Sequence, residues 1–329
     1  MKSNFQKGVW IVLSVALLVA LAPGVMRTAG SAGALAEVSL RGDTGAMAFA
    51  ASATEPPGGG PEAIAFDGTH VWVARLFSNA VTRLQARDGK NTGTFKVGGR
   101  PAALVFDAKN MWVANLLDNT VMKLSASDGA ILLTVRVGKG PGGLLFDGTY
   151  IWVANRKGRS VTKLRAADGA IAGTFNVGAR PLGLAFDGAN VWVANSQDDT
   201  VMKLRPSDGL ILGTFKVGHG PTGLAYDGRS IWVTNFFSGT VTQLRASDGV
   251  VLRNVAVGDG ASGITFDGSA LWVANDGVNN VVAVNPKTGA VIAKFGTGRS
   301  PSAVVSDGVN IWVANRGSDS VSTSAAVNK

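Results

Sequence analysis

A tryptophan returns every forty residues in this chain. It stands at Trp72, Trp112, Trp152, Trp192, Trp232, Trp272 and Trp312, with no insertion or deletion between any two. Each is followed by Val, then Ala or Thr, then Asn, with Arg75 the one departure from Asn. A period of this length marks a repeat architecture. One unit cannot bury its own apolar face, so neighbouring units must stack. The repeat also overrides the two-domain prior for a 329-residue chain, because arrays are counted by unit.

Within the unit 181–220, four short apolar runs alternate with turns. Leu182 to Phe186 is followed by Asp187-Gly188-Ala189-Asn190, and Val191 to Asn195 by the polar loop Ser196 to Asp199. Thr200 to Arg205 then leads through Ser207-Asp208-Gly209 to Leu210–Val217. Runs rich in Val, Ile, Phe and Trp between Asp-Gly turns predict four antiparallel strands in a meander. Gly reaches positive φ freely and Asp bonds its own turn backbone, so the recurring Asp-Gly pairs read as turn chemistry and not as acid catalysts. The second run is apolar on both faces: Trp152 and Val153 point to opposite sides of one sheet, yet both need burial. Blades packed face to face around an axis meet that demand. The expected fold is therefore all-β, a seven-bladed β-propeller of four-stranded antiparallel blades. Each tryptophan would bury about 150–250 Å² between blades, a gross upper bound of roughly 4–6 kcal/mol. All seven are accordingly read as structural.

The ends fit a closed ring. Residues 61–329 hold seven units, and the last stops before a fourth strand. Residues 37–60 are a Gly/Ala/Pro-rich lead-in. In it, Thr44-Gly45-Ala46-Met47-Ala48-Phe49 parallels Thr288-Gly289-Ala290-Val291-Ile292-Ala293, the start of a fourth strand. The expectation is that about residues 45–52 pair with the C-terminal strand near Ser320–Ser324, completing the last blade and removing its inner edge. The segment 37–41 competes for the third-strand place, since Leu40 to Gly45 has the spacing of Leu204 to Gly209. Deleting residues 37–55 should then lower the melting temperature sharply, and an unchanged value would refute closure.

Residues 1–36 read as a signal peptide. Lys2 and Lys7 precede an apolar run from Val9 to Val25, and Ala34-Leu35-Ala36 offers a small-residue cleavage site. The alternative is an N-terminal membrane anchor, the apolar run of about 17 residues lying near the lower limit for spanning. Cleavage would give an exported, periplasmic or extracellular chain with no membrane span in its mature part. Its formal charge would fall from +9 to +6, because Lys2, Lys7 and Arg27 leave and no acid does. That mild excess does not by itself indicate nucleic-acid binding. No cysteine is present, which removes disulfides, thiol chemistry and cysteine-ligated metals.

Material for catalysis is scarce. The only histidines are His70 and His219, in different slots of the repeat, and Glu occurs only at Glu37, Glu55 and Glu62. No catalytic residue, metal site or cofactor is assigned. Three G-x-G-x-x-G matches, at Gly138–Gly143, Gly218–Gly223 and Gly258–Gly263, precede strands and not helices, and so read as inter-blade turns.

The units diverge most in the loop after the Asn: Leu76-Phe77, Leu116-Leu117, Arg156-Lys157-Gly158-Arg159, Ser196-Gln197-Asp198-Asp199, Phe236-Phe237, Asp276-Gly277 and Arg316-Gly317. These loops share one face with the inter-blade turns that carry Arg100, Arg180 and His219. Binding residues typically sit on such loops over a rigid scaffold. Candidate binding residues are Phe77, Arg156, Lys157, Arg159, Arg180, His219, Phe236 and Phe237, aromatic and Arg side chains being the usual interface anchors. Aromatics interleaved with basic residues also suit single-stranded nucleic acid, a reading that export disfavours.

Trp-Val-Ala-Asn, Thr-Val after four further residues, Gly-Thr-Phe-x-Val-Gly and Pro-x-Gly-Leu-x-Phe-Asp-Gly together resemble the YVTN-type, YncE-like β-propeller repeat of exported bacterial proteins, over residues 61–329. The resemblance implies a mostly non-enzymatic propeller. The repeat is also similar to that of virginiamycin B (streptogramin) lyase, whose family uses a Glu-Pro-His motif around the repeat proline. Here Arg100-Pro101-Ala102, Gly140-Pro141-Gly142, Arg180-Pro181-Leu182, Gly220-Pro221-Thr222 and Ser300-Pro301-Ser302 carry neither the Glu nor the His. Lactonase propellers need acidic metal ligands that a Glu-poor chain does not supply. The reading is thus an exported, monomeric binding scaffold for a protein or cell-envelope ligand, with a propeller lyase or lactonase as the alternative.

Overall fold

The computed structural model describes residues 59–324, together with the backbone of Met47–Ala48 and Ala50–Ala51. Within 59–324 the chain is almost wholly strand and turn, with one 3-10 turn at Asp276–Val278. Blade one is Pro61–Phe66, His70–Arg75, Ala80–Gln85 and Asn91–Lys96, joined in that order as an antiparallel meander. The same order recurs in each of the following blades. Blade seven contributes Pro301–Ser306, Ile311–Asn315 and Ser320–Thr323. In the unit used above, the strands are Pro181–Phe186, Val191–Asn195, Thr200–Leu204 and Ile211–Lys216, each within one residue of its expected limits.

The second strand is buried on both faces, as its unbroken apolar pattern requires. Each tryptophan packs against the next blade: Trp72 lies with Met111, Val113 and Leu124 of blade two. Trp312 lies with Ile64, Val71, Val73 and Leu84 of blade one, so the core is continuous across the seam of the ring. Polar contacts cross the same seam. The Asp319 carboxylate accepts the Gly59 and Gly60 N–H groups at 3.0 and 2.9 Å, and Ser302 Oγ donates to the Pro61 carbonyl at 3.1 Å.

The turn aspartates do more than the sequence suggested. In blade three, Asp147 Oδ1 accepts the backbone N–H groups of Thr149 and Tyr150, which is the expected turn role. Its Oδ2 accepts the indole N–H of Trp152 at 2.7 Å. All seven units repeat this clamp, from Asp67 and Trp72 to Asp307 and Trp312. A buried indole N–H needs an acceptor, and the Asp-Gly turn supplies it from within its own blade.

A second device straps one blade to the next. Lys123, Lys163 and Lys203 each donate from Nζ to a carbonyl of the following blade at 2.7 Å, while lying over the ring of their own tryptophan. Arg83 does the same in blade one. Burial lowers the Lys163 pKa, and the Asp147 carboxylate opposes that shift. Gln243 and Ala283 replace the cation in blades five and six. Under Ala283, Trp272 is only half-buried, alone among the seven.

Ala50 and Ala51 pair antiparallel with Thr323 and Ser322, and Met47–Ala48 runs parallel to Phe295–Gly296 of blade six. The rest of the expected closing strand, the competing segment 37–41, and residues 1–36 lie outside the described residues.

Candidate functional site

Each inner strand starts at the repeat proline, or at Ala261 in blade six, and the residues just after it line the axis. Together the seven inner strands enclose an axial cavity of about 510 Å³. Its mouth opens on the face of the variable loops. There the two residues after each Asn bond back to the preceding inter-blade turn: Leu116 N–H to the Arg100 carbonyl and Leu117 N–H to the Gly99 carbonyl, at 3.0 Å each. The same pair of bonds recurs in the other blades, at Arg156 and Lys157 to Gly140 and Lys139 and at Phe236 and Phe237 to Gly220 and His219. The variable residues are thus held on a hydrogen-bonded frame.

Position within the loop decides direction. In blades three to seven the first loop residue turns to the axis: Arg156, Ser196, Phe236, Asp276 and Arg316 line the cavity. The second lies over the inter-blade turn. A Cβ at Gly60 would meet the Phe77 ring at 2.7 Å, and one at Gly140 would meet Lys157 Cγ at 3.1 Å. Phe237 also reaches the cavity rim, edge-on to Phe236 at 5.2 Å and 83°.

Of the candidate residues, the fold therefore brings Arg156, Arg180, Phe236 and Phe237 to one cavity. Phe77, Lys157, Arg159 and His219 are not among its lining. Phe77 is 61 % exposed and carries Arg100 over its ring at 5.6 Å. His219 is exposed and pairs through Nδ1 with Asp199 Oδ2 at 2.8 Å. The Gly220 N–H and the His219 ring together hold the Asp199 carboxyl below the usual range.

Arg159 sits at φ 49°, in the left-handed region. Its counterparts are Asn79, Asn119, Asp199, Gly239, Asn279 and Asp319, residue types that tolerate this conformation. Asn79, Asn119, Asp199, Asn279 and Asp319 also offer an oxygen to the inter-blade turn, as Asn119 Oδ1 does to the Gly140 N–H at 2.7 Å. Arg159 has none to offer Arg180. Arg180 itself stands at φ 54° where Gly60, Gly140, Gly220 and Gly260 occupy the equivalent place. Blade three and the turn after it have thus given up local stability at two arginines.

Three functional-looking residues were not singled out from sequence. Arg316 donates to Glu62 Oε2 and to Asp276 Oδ2, at 2.9 Å each, and all three line the cavity. Their signal was available, because Asp276 and Arg316 occupy the same loop slot as Arg156, and Glu62 is the only acid directly after a repeat proline. The Arg156 guanidinium stands across the axis from this triad without a hydrogen-bond or ion-pair partner among the described residues. Burial and the Arg180 guanidinium, with a smaller push from Arg100, lower its pKa, while Glu62 raises it. Among the described residues no three acidic or histidine side chains converge as metal ligands would, and no helix is long and apolar enough to cross a membrane.

No family model matches the chain, and no curated protein matches its sequence. Solved structures do match. Hydrazine synthase of Kuenenia stuttgartiensis aligns at a TM-score of 0.71 and 20 % identity, over 84 % of this chain and 97 % of that one. A streptogramin B lyase aligns at 0.71 and 18 %, over 82 % and 94 %. A catalytically inactive virginiamycin B lyase of Staphylococcus aureus, determined with quinupristin, aligns at 0.71 and 19 %, over 82 % and 96 %. At these identities the likeness is one of fold: the chain is a seven-bladed β-propeller similar to these.

Proposed function

We propose that this protein is an exported binding propeller that takes a ligand into the mouth of its axial cavity. The observation that carries the reading is convergence. The chain repeats itself at scaffold positions and varies in the loop slot that faces one cavity, where Arg156, Phe236, Asp276 and Arg316 meet. Cavities of a few hundred Å³ with apolar walls and a few polar groups are the usual form of small-ligand sites. Changing Phe236 and Phe237 together to Ala should leave the fold intact and weaken retention of small ligands in a metabolite screen read by ligand-observed NMR. Identical ligand profiles for mutant and wild type would overturn the site. Export is part of the proposal, and N-terminal sequencing of the protein made in cells tests it: a mature chain beginning at Glu37 supports it, a retained Met1 contradicts it.

A lyase or lactonase activity is the second reading, and fold likeness to lyases favours it. The two carboxylates lining the cavity, Glu62 and Asp276, are both engaged by Arg316. A divalent metal retained stoichiometrically by the purified protein would support this reading over simple binding.

A further inference from the structure

Arg156 and Arg316 occupy the same slot of the repeat, in blades three and seven. The neighbours of Arg316 are Asp276, which holds that slot in the preceding blade, and Glu62, which follows the repeat proline of the next blade. The residues in those two places around Arg156 are Leu116 and Leu182. One arginine is thus neutralised by two carboxylates, and its counterpart lies between two leucines. Gly142 makes the room, since a Cβ there would lie 2.5 Å from Arg156 Cδ and 3.7 Å from Leu116 Cδ1.

A part-buried guanidinium with no carboxylate in contact, and only Glu62 acting on it from a distance, is costly unless something anionic joins it. Two further guanidiniums stand close. Arg180 lines the same cavity, and Arg100 acts on Arg156 electrostatically from the turn before blade two. Arg180 and Arg100 are held at φ 54° in the place where four other turns have glycine and one has Ser300. Strained backbone of this kind persists where function requires the side chain.

Charge counting narrows the ligand. Arg156, Arg180 and Arg316 line the cavity against Glu62 and Asp276, leaving a surplus of one positive charge inside. A monoanion balances that surplus, and a dianion such as a phosphate monoester exceeds it. Planar bidentate pairing of a guanidinium with a carboxylate adds geometric fit. The remaining wall is mixed: Leu104, Leu144, Leu182 and Phe236 supply apolar surface, and the hydroxyls of Thr222, Ser262 and Ser302 are spent on backbone carbonyls. Resting on the small-ligand reading of this cavity, we propose that its ligand is a monocarboxylate with an apolar, aromatic or aliphatic body. Arg156 anchors the carboxylate, Arg180 assists at the rim, and Phe236 contacts the body.

The test uses the full chain and a probe series of trans-cinnamate, hexanoate, cinnamamide and phenyl phosphate, by calorimetry and ligand-observed NMR. The expected result is binding of at least one of the two carboxylates, at least tenfold tighter than cinnamamide and phenyl phosphate. Arg156→Gln should lose tenfold or more for that carboxylate with no change for the amide, and Arg156→Lys should recover part of the loss. Arg156→Gln should melt no lower than wild type, which separates lost binding from lost folding. Equal binding of cinnamate and cinnamamide, sensitive to Phe236→Ala, would overturn the anionic ligand while sparing the cavity site. Tightest binding of phenyl phosphate would overturn the monoanion assignment. Binding of none of the four probes would overturn this proposal, leaving the small-ligand reading to the Phe236/Phe237 screen.

Discussion

Arg156 and Arg316 sit on the same backbone frame, although Gly142 stands beside the one where blade seven has Ser302. Each follows the Asn at the end of a buried second strand, and each bonds its backbone N–H to the preceding inter-blade turn, at 2.9 and 3.0 Å. The difference in charged partners lies in other blades. Arg316 meets one carboxylate from blade six and one from blade one, while the equivalent places beside Arg156 hold Leu116 and Leu182. In a ring of near-identical units, chemical identity is therefore assigned at the contacts between units. A repeat can keep its scaffold invariant and still make each sector of the axis different.

The largest effect we expect concerns what the two blades share. Trp152→Ala and Trp312→Ala should each cost about 3–5 kcal/mol by opening a cavity in the blade-to-blade core, and urea titrations should give the two the same loss. A difference above about 2 kcal/mol would mean that blades three and seven differ in scaffold as well as in the cavity.

Next comes transplantation. Leu116→Asp with Leu182→Glu builds the surroundings of Arg316 around Arg156, and carboxylate binding by calorimetry should fall about a hundredfold, as expected when one partner of a desolvated charge pair is pre-empted. Undiminished binding would show that Arg156 is not the anchor.

Lowering the pH separates the site from the scaffold. Arg156 remains cationic throughout the working range, its pKa being lowered from a very high starting value. The ligand carboxylate protonates near pH 4–5, so binding should be flat from pH 6 to 8 and lost below about pH 5. The clamps respond later. Burial alone would raise the Asp307 pKa, but the Trp312 indole N–H and the Asn310 and Val309 N–H groups outweigh it, and the net shift is downward. A depressed folded pKa contributes stability above the unfolded value near 3.9, and that stability is lost as pH falls through the folded value. Affinity should therefore vanish while the far-ultraviolet spectrum is still native, and coincident loss would contradict this order.

A smaller effect is expected at Gly142. Its replacement by Ala forces the Arg156 side chain to move, since the new Cβ would lie 2.5 Å from Cδ and 3.0 Å from Cγ, with no backbone in the way. Affinity should drop a few-fold by calorimetry, with no loss of melting temperature.

Most of the scaffold was legible because each scaffold position is written seven times. The alternating runs, the Asp-Gly turns and the Trp strand each recur at one spacing, so four strands per blade and seven blades follow from period alone. The indole acceptor was not legible. Asp147 and Trp152 are five residues apart, one in a turn and one in the strand that follows it, and either has a sufficient role without the other. The strap from Lys163 to the Pro206 carbonyl crosses 43 residues. Its only sequence trace is the basic residue recurring at Arg83, Lys123, Lys163 and Lys203. The cavity was half legible. Variation after the Asn pointed to Arg156 and Phe236, but charge balance depends on which loops face one another across the axis. Glu62 and Arg316 are 254 residues apart in sequence and 2.9 Å apart in the ring, so no local pattern announces that one arginine is neutralised and the other is not.

That difference has a direct thermodynamic consequence, independent of any ligand. Replacing Arg156 by Leu removes a part-buried charge that has no carboxylate in contact, whereas replacing Arg316 by Leu strands two half-buried carboxylates. Side-by-side thermal unfolding of Arg156→Leu and Arg316→Leu measures it. The expected melting temperature is at or above wild type for Arg156→Leu, from a gain of up to about 1 kcal/mol. It is lower for Arg316→Leu, from a loss of about 1 kcal/mol after solvent screening of a partly exposed pair. Equal destabilisation of the two, or a larger loss for Arg156→Leu, would contradict it.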